Sequence, residues 1–352
     1  MISGYIGKRV LITGGLGFLG SSLAVRLAAV GARVTVVDSL TPGCGGNRYN
    51  LASAPAAISV IEADIGDAVR VSAAIRDTEV IFNMAGEISH VHSMERPERD
   101  ADLNAMAQLR FLEECTRVAP GVRVVYASTR QIYGVPQYLP VDEAHPVQPV
   151  DFNGVHKFSA NAYHQLFTTA GKLDAVVLCL TNIYGPRMAL NIPCQGFLGN
   201  FLRRSLLGQR IEVFGDGLQL RDPVYVDDAI HAFLLAGAQS DYRWRLFNVG
   251  GAEVLPLRGI AQSIARACGT PEPTFRPFPE DRKAIDIGSY ATDTSRIRRE
   301  LGWCPALNFE EGIRTTLEYF RQELPHYLGP DDLNPVCSLE SPVRPSSRHV
   351  AV

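Results

Sequence analysis

The sequence predicts an α/β fold, a doubly wound parallel sheet with helices on both faces, and a smaller region drawn from the C-terminal half. Three observations predict it. Short apolar runs rich in β-branched residues recur through the first half of the chain, helix-length segments separate them, and a glycine-rich turn joins the first run to the first helix.

Taken in order, strands are expected at 9–13, 33–38, 58–63, 80–83, 122–127 and 174–180. A helix is expected at 18–30, and longer helical stretches at 101–118 and 154–170. In a doubly wound sheet, ligands bind at the carboxyl ends of the strands. From about residue 183 the pattern loosens, and Gly, Pro and charged loops break it at 182–196 and 270–288. The chain therefore divides into a nucleotide-binding part, mainly 1–182, and an interlocked substrate-binding part, mainly 183–328. Residues 329–352 carry Pro, Ser and Arg without periodicity and read as a mobile tail.

With 352 residues, 46% of them hydrophobic, the chain can bury one large or two interlocked domains. A net charge of -3 gives no general reason to bind nucleic acid or an acidic membrane. The seven cysteines are scattered and form no CxxC pair, which suits a reducing cytoplasmic setting and argues against structural zinc. No apolar run reaches the roughly 18 residues of a membrane span. The first residues do not read as a cleavable leader.

The strongest local signal is LITGGLGFLGSSL. Gly15, Gly17 and Gly20 match GxGxxG between a strand and a helix, and Gly14 adds a second, overlapping glycine spacing. Glycines let the backbone turn tightly against a pyrophosphate, and the helix N-terminus offers unpaired N–H groups. This is a Rossmann-type fingerprint. Asp38 ends the next strand, where a carboxylate accepts from ribose hydroxyls and repels a 2′-phosphate, so NAD is favoured over NADP. Further strand ends supply more candidate cofactor contacts. The set is Gly14, Gly17, Phe18, Leu19, Gly20, Asp38, Ser39, Asp64, Ile65, Met84, Ala85 and Gly86.

With these motifs in view, the chain resembles the extended short-chain dehydrogenases/reductases, and among them the NDP-sugar epimerase/dehydratase family, over about residues 8–322. TGGLGFLG resembles the family's cofactor loop, and VVYASTRQIYG its strand and active-site turn. LTNIYGPR resembles the loop between cofactor and substrate, FGDGLQLRDPVYVDDAIHA the diphosphate segment, and FNVGG and LGWCPALNFEEGI its C-terminal signatures. The resemblance implies NAD as cofactor, with Asn104 and Lys157 also near it. It implies a nucleotide sugar as substrate, a UDP-sugar first, and a homodimer built on the two long helices.

Carried over by position, Thr129 takes the hydroxyl role with Ser128 beside it, and Lys157 the ribose-binding and electrostatic role. The family's Tyr base belongs four residues before that Lys, where this chain has Asn153. Asn and Lys four apart share a helix face, but an amide has no usable proton-transfer pKa. Lys157 itself, Glu87 and His90 are candidate surrogates; His156 is near on the helix but offset from Asn153, and Tyr133 and Tyr184, at usual family positions, read as packing or substrate contacts. After Thr129, the family's dehydratases carry an Asp–Glu pair; this chain has Arg130 and Gln131, which argues against that elimination. Arg130 reads equally as an anion contact or as a structural ion pair.

On the substrate side, Arg221 matches the family's diphosphate Arg, and its planar fork suits phosphate oxygens. Asn182, Arg187, Arg282, Glu87, His90 and Thr129 complete the candidate substrate contacts. His90 and His92 form an HxH pair without further ligands at metal spacing, so no metal is expected. Ser128 lacks a nucleophile elbow. The first reading is an NAD-dependent epimerase acting by transient hydride transfer at a ring carbon, C4 in the family. A net sugar-nucleotide dehydrogenase or reductase, and a weakly catalytic sugar-nucleotide binding protein, stay open beside it.

Overall fold

The computed structural model describes residues 2–192, 196–239 and 245–329; the expected tail from 330 onward lies outside the described residues. Six strands alternate with helices through the first half: β1 (Arg9–Thr13), β2 (Arg33–Asp38), β3 (Ser59–Glu62), β4 (Val80–Asn83), β5 (Arg123–Thr129) and β6 (Asp174–Leu180). All lie within a residue or two of expectation, because each carries a short β-branched or apolar run; five of them are largely buried, while β3 at the sheet edge is mostly exposed.

The second half adds short strands β7 (Ile183–Tyr184), β8 (Glu212–Phe214), β9 (Leu220–Arg221) and β10 (Val224–Tyr225). They are followed by β11 (Leu246–Val249), β12 (Leu255–Pro256) and β13 (Thr274–Arg276). β11 joins the main sheet beside β6, giving seven parallel strands in the order β11-β6-β5-β4-β1-β2-β3. This seventh strand was not among the expected ones. Its four residues are too short to announce a strand, yet the register Leu246↔Val177 through Val249↔Leu180 buries three of them.

Successive residues of β1 face opposite layers. Val10 and Ile12 pack with α1 (Phe18–Ala29), while Leu11 packs with α2 (Ala68–Arg76) and α5 (Ala107–Val118). The expected helix at 101–118 is a composite. Between α3 (His90–Glu95), α4 (Pro97–Ala101) and α5 lies a wide π-helical turn, Asp102–Met106. α6 (Phe152–Thr169) starts two residues earlier than expected, because Asp151 caps it, accepting from Gly154 N at 2.7 Å.

The remaining helices are α7 (Phe197–Leu206), α8 (Val226–Ala238), α9 (Leu257–Cys268), α10 (Glu280–Ala284), α11 (Ser295–Leu301) and α12 (Phe309–Glu323). α8 packs on the main sheet, and α7, α9 and α12 pack together beside it. Asp228 ties the layers by accepting from Ala306 N and Leu307 N. No helix among the described residues is long and apolar enough to cross a membrane.

Candidate active site

A cavity of about 660 Å³ runs along the carboxyl ends of β1, β2, β4, β5 and β6. At one end it is lined by the glycine turn, the β2–β3 end residues and the loop after β4; at the other by Asn182, Arg221, Arg282 and Asp286.

The glycine turn is built for close backbone approach. Gly14 has φ +64°, and a Cβ on Gly20 would overlap the Gly14 carbonyl oxygen. α1 opens without a side-chain cap, so the amides of Phe18, Leu19 and Gly20 remain for a ligand at the cavity wall. Asp38 is fixed at the end of β2 by accepting from Leu16 N at 3.0 Å and Leu40 N at 2.9 Å. Thr13 Oγ1 accepts from the amides of Met84 and Ala85, holding the β4 end against β1. Ser39, Asp64, Ile65, Met84, Ala85 and Gly86 line the same space. Glycine is required at 86: φ is +151°, and a Cβ would stand 2.5 Å from both Lys157 Nζ and Asn104 Oδ1. This cradle fits a dinucleotide.

The residues expected at the reacting centre come from β5 and α6. Ser128, Thr129, Asn153, Lys157 and His90 all line the cavity. Thr129 Oγ1 accepts from Gln131 N at 3.2 Å, which leaves its own hydrogen free to donate. Lys157 Nζ lies 5.6 Å over the Tyr126 ring. Burial pushes its pKa down to about 8, against the opposing pull of Asp100. His90 Nδ1 is 3.0 Å from Asp151 Oδ2, which also accepts from Gln131 Nε2.

Asn153 is spoken for. Its Nδ2 donates to Glu87 O at 3.0 Å and to Asp100 Oδ2 at 3.1 Å. Both partners are acceptors, which sets the orientation of the amide. Its two hydrogens tie α6 to the β4–α3 loop and to α4, and only the carbonyl oxygen is left for a ligand.

Three expected contacts need correction. The Glu87 carboxylate faces His92 Nδ1 at 3.2 Å and Arg99 Nε at 3.9 Å, and Glu87 is not among the cavity residues. Its backbone carbonyl, by contrast, is bonded by Asn153 and Asn104, so the buried acid turns away from the cavity. Arg187 also lies off the cavity. With φ +73°, it donates to Asn50 O at 3.1 Å and Ser53 Oγ at 2.9 Å and clamps the β2–β3 connection. Asn104 stands behind Gly86, donating to Glu87 O at 3.1 Å, and supports the wall without forming it.

The other nearby groups are likewise engaged. His156 Nδ1 is 2.7 Å from Asp100 Oδ1, Tyr133 OH donates to Asn248 Oδ1 at 2.8 Å, and buried Tyr184 packs against Phe309.

At the far end, Arg221 donates to Leu220 O and Gly288 O and lies 3.5 Å from Asp286. Burial, then the nearby Arg130, pushes its pKa down to about 10. Sequence reasoning missed several residues that line the cavity: Leu103 and Ala107 around the π-helical turn, Thr41, Cys44 and Gly46 after β2, and Phe197, Phe201, Arg204, Phe214 and Phe278. Only Phe214 sits in a motif, as the first residue of FGDGLQLRDPVYVDDAIHA; the others come from loops and helices whose placement depends on the whole fold.

A seven-stranded parallel sheet with a dinucleotide cradle at its carboxyl edge, beside a Thr–Lys centre, defines a nicotinamide-dependent enzyme of the doubly wound class. Residues 10–250 match the NAD dependent epimerase/dehydratase family. The chain is 34% identical over 318 residues to a UDP-glucose 4-epimerase of Mycolicibacterium smegmatis, covering 90% of this chain and 99% of that one. Among solved structures it is similar to a Thermotoga maritima UDP-glucose 4-epimerase with UDP-glucose, at 30% identity and TM-score 0.81, covering 90% of this chain and 99% of that one. It is also similar to a Streptomyces venezuelae dTDP-glucose 4,6-dehydratase with NAD bound, at 27% identity and TM-score 0.83, covering 93% and 100%. The chain belongs to the NAD-dependent epimerase/dehydratase family, the nucleotide-sugar branch of the extended short-chain dehydrogenases/reductases.

Proposed function

We propose that this protein epimerises a nucleotide-activated sugar, a UDP-sugar first, by transient oxidation and re-reduction at one ring carbon, C4 by family analogy. The observation that carries this reading is the single cavity that joins a dinucleotide cradle, a Thr–Lys centre and a buried Arg at its far end. NAD in the cradle supplies a reversible hydride acceptor. Gly14, Gly17, Gly20 and the first amides of α1 would hold its pyrophosphate, and Asp38 its adenosine ribose.

The chain's own residues do the rest. Thr129 donates to the reacting oxygen. Arg221 and Asn182 hold the diphosphate end, with Arg282 beside them. The absence of an acidic pair after Thr129 leaves no group for the dehydratase elimination. Proton transfer falls to Lys157, whose buried amine loses its proton near pH 8 and which shares a helix face with Asn153. His90, backed by Asp151, is the rival acceptor.

The test is NMR of the protein with UDP-, dTDP-, GDP- and CDP-sugars while absorbance is followed at the NADH band. A new epimer without net NADH supports the proposal, and steady NADH formation replaces it with a dehydrogenase. The pH profile then separates the two bases. A Lys157 base makes kcat/KM rise with pH through about 8, because only the neutral amine accepts a proton. A profile without that inflection, together with inactivity of His90→Asn, moves the role to His90.

We also propose a homodimer. α6 leaves Phe152, Val155, Phe158 and Leu166 exposed at three-, six- and fourteen-residue offsets along one side. Sedimentation is expected to give a dimer for the native chain and a monomer for Phe158→Glu.

A further inference from the structure

We infer that Arg130 is a carboxylate-reading subsite, so that the sugar carried into this cavity is a uronic acid. The inference rests on the nucleotide-sugar reading above and narrows its substrate class.

Arg130 directly follows Thr129, in the turn that presents the reacting hydroxyl, and lines the cavity. Its guanidinium lies 4.8 Å over the Tyr290 ring, and Nη2 donates to Asn182 Oδ1 at 3.1 Å. Nη1 is enclosed and makes no hydrogen bond among the described residues. The surrounding acids are engaged elsewhere. Asp222 accepts from Thr181 Oγ1 at 2.7 Å and Thr292 N at 2.9 Å, Asp286 faces Arg221, and Asp151 serves His90, Gln131 and Gly154. Burial pushes the Arg130 pKa down, yet a guanidinium stays protonated in proteins. Asp222, Asp286 and Asp151 draw on the charge from a distance, but among the described residues none of them bonds Nη1, which leaves an enclosed donor facing the cavity that an arriving anion can take.

Position decides which anion. Arg130 follows Thr129 in the chain, is bonded to Asn182 and shares the cavity with Arg221. Between the hydroxyl that meets the reacting oxygen and the arginine that meets the diphosphate lies the sugar itself. The planar fork of Arg130 suits two carboxylate oxygens. A neutral hydroxymethyl group at the same place leaves Nη1 without a partner, a mismatch that selects against the uncharged sugar. The rival is that Arg130 reads the diphosphate together with Arg221.

The test is calorimetric titration of the NAD-loaded protein with UDP, UDP-glucose and UDP-glucuronate, repeated with the thymidine counterparts. The native protein is expected to bind the glucuronate at least roughly tenfold tighter than the glucoside. Arg130→Gln is expected to abolish that preference without altering affinity for the free diphosphate, and Arg130→Lys to keep part of it. The native comparison needs no variant to fold. Equal affinity for the two sugars overturns the inference, and so does an Arg130→Gln protein that weakens UDP as much as UDP-glucuronate, which makes Arg130 a diphosphate contact. Silence with every nucleotide removes the nucleotide-sugar reading as well, whereas binding of UDP without carboxylate preference removes this inference alone.

Discussion

The two ends of the cavity recognise by different means. The dinucleotide end is mostly backbone: a tight glycine turn, the open amides of α1 and a bare Gly86, with Asp38 as its main charged side chain. The sugar end is mostly side chain: Arg130, Asn182, Arg221, Arg282 and Asp286, drawn from segments up to about half the chain apart. Backbone recognition demands small residues at fixed spacing, which marks the sequence. Side-chain recognition demands only that a long, flexible group reach the right point, and many positions satisfy that.

Substitutions that strike one end and spare the other break or sharpen this contrast. The largest expected effect lies between the ends. Lys157→Met is expected to lower kcat/KM by roughly 10²–10⁴, the worth of a positioned proton-transfer group, while UDP affinity measured by calorimetry holds. The same lysine gives a stability signature in the NAD-free protein. Its folded pKa, about 8, lies below the ordinary 10.5, so the unfolded chain holds the proton longer. Stability is therefore expected to gain with rising pH between those values, and chemical denaturation of Lys157→Met should lack that gain.

Next comes the cradle. Gly20→Val forces a side chain onto the Gly14 carbonyl, and overpacking of about 1–3 kcal/mol is expected to weaken NAD retention roughly 10- to 100-fold. UDP binding at the other end should survive, and co-purified NAD reads the difference.

Asn153→Ala strips both Glu87 O and Asp100 of a buried donor. A loss of about 1–3 kcal/mol in urea unfolding is expected, with a smaller fall in kcat/KM than Lys157→Met gives. A larger fall would return Asn153 to the chemistry. The smallest effect is expected from Arg187→Ala, which removes a half-exposed clamp and costs about 1 kcal/mol with no change in UDP affinity. A changed affinity would put Arg187 back among the substrate contacts.

How far the site was legible follows the same division. Gly14, Gly17, Gly20 and Asp38 were readable because strand, turn and helix N-terminus form one short local unit. Thr129 and Lys157 were readable through their motif spacing. Glu87 was misplaced because a carboxylate in a loop after β4 faces the ligand or turns away according to what packs behind it, and here His92 and Arg99 draw it off. Asn153 was legible as an amide on the helix face of Lys157 but not as a tie, since its partners Glu87 and Asp100 lie 66 and 53 residues away.

By itself, the sequence determined the layered sheet, the place of the dinucleotide turn and the spacing that puts Asn153 one helical turn before Lys157, because alternation, glycine spacing and residue identity are local properties of the chain. Tertiary structure alone decided that β11 closes the sheet, that Asn153 spends its amide on the framework, that Arg187 faces away, and that Nη1 of Arg130 is enclosed with no hydrogen-bond partner among the described residues. Each of those depends on which distant backbone and side-chain groups meet when the layers pack, and on whether their hydrogen bonds and charges find partners there.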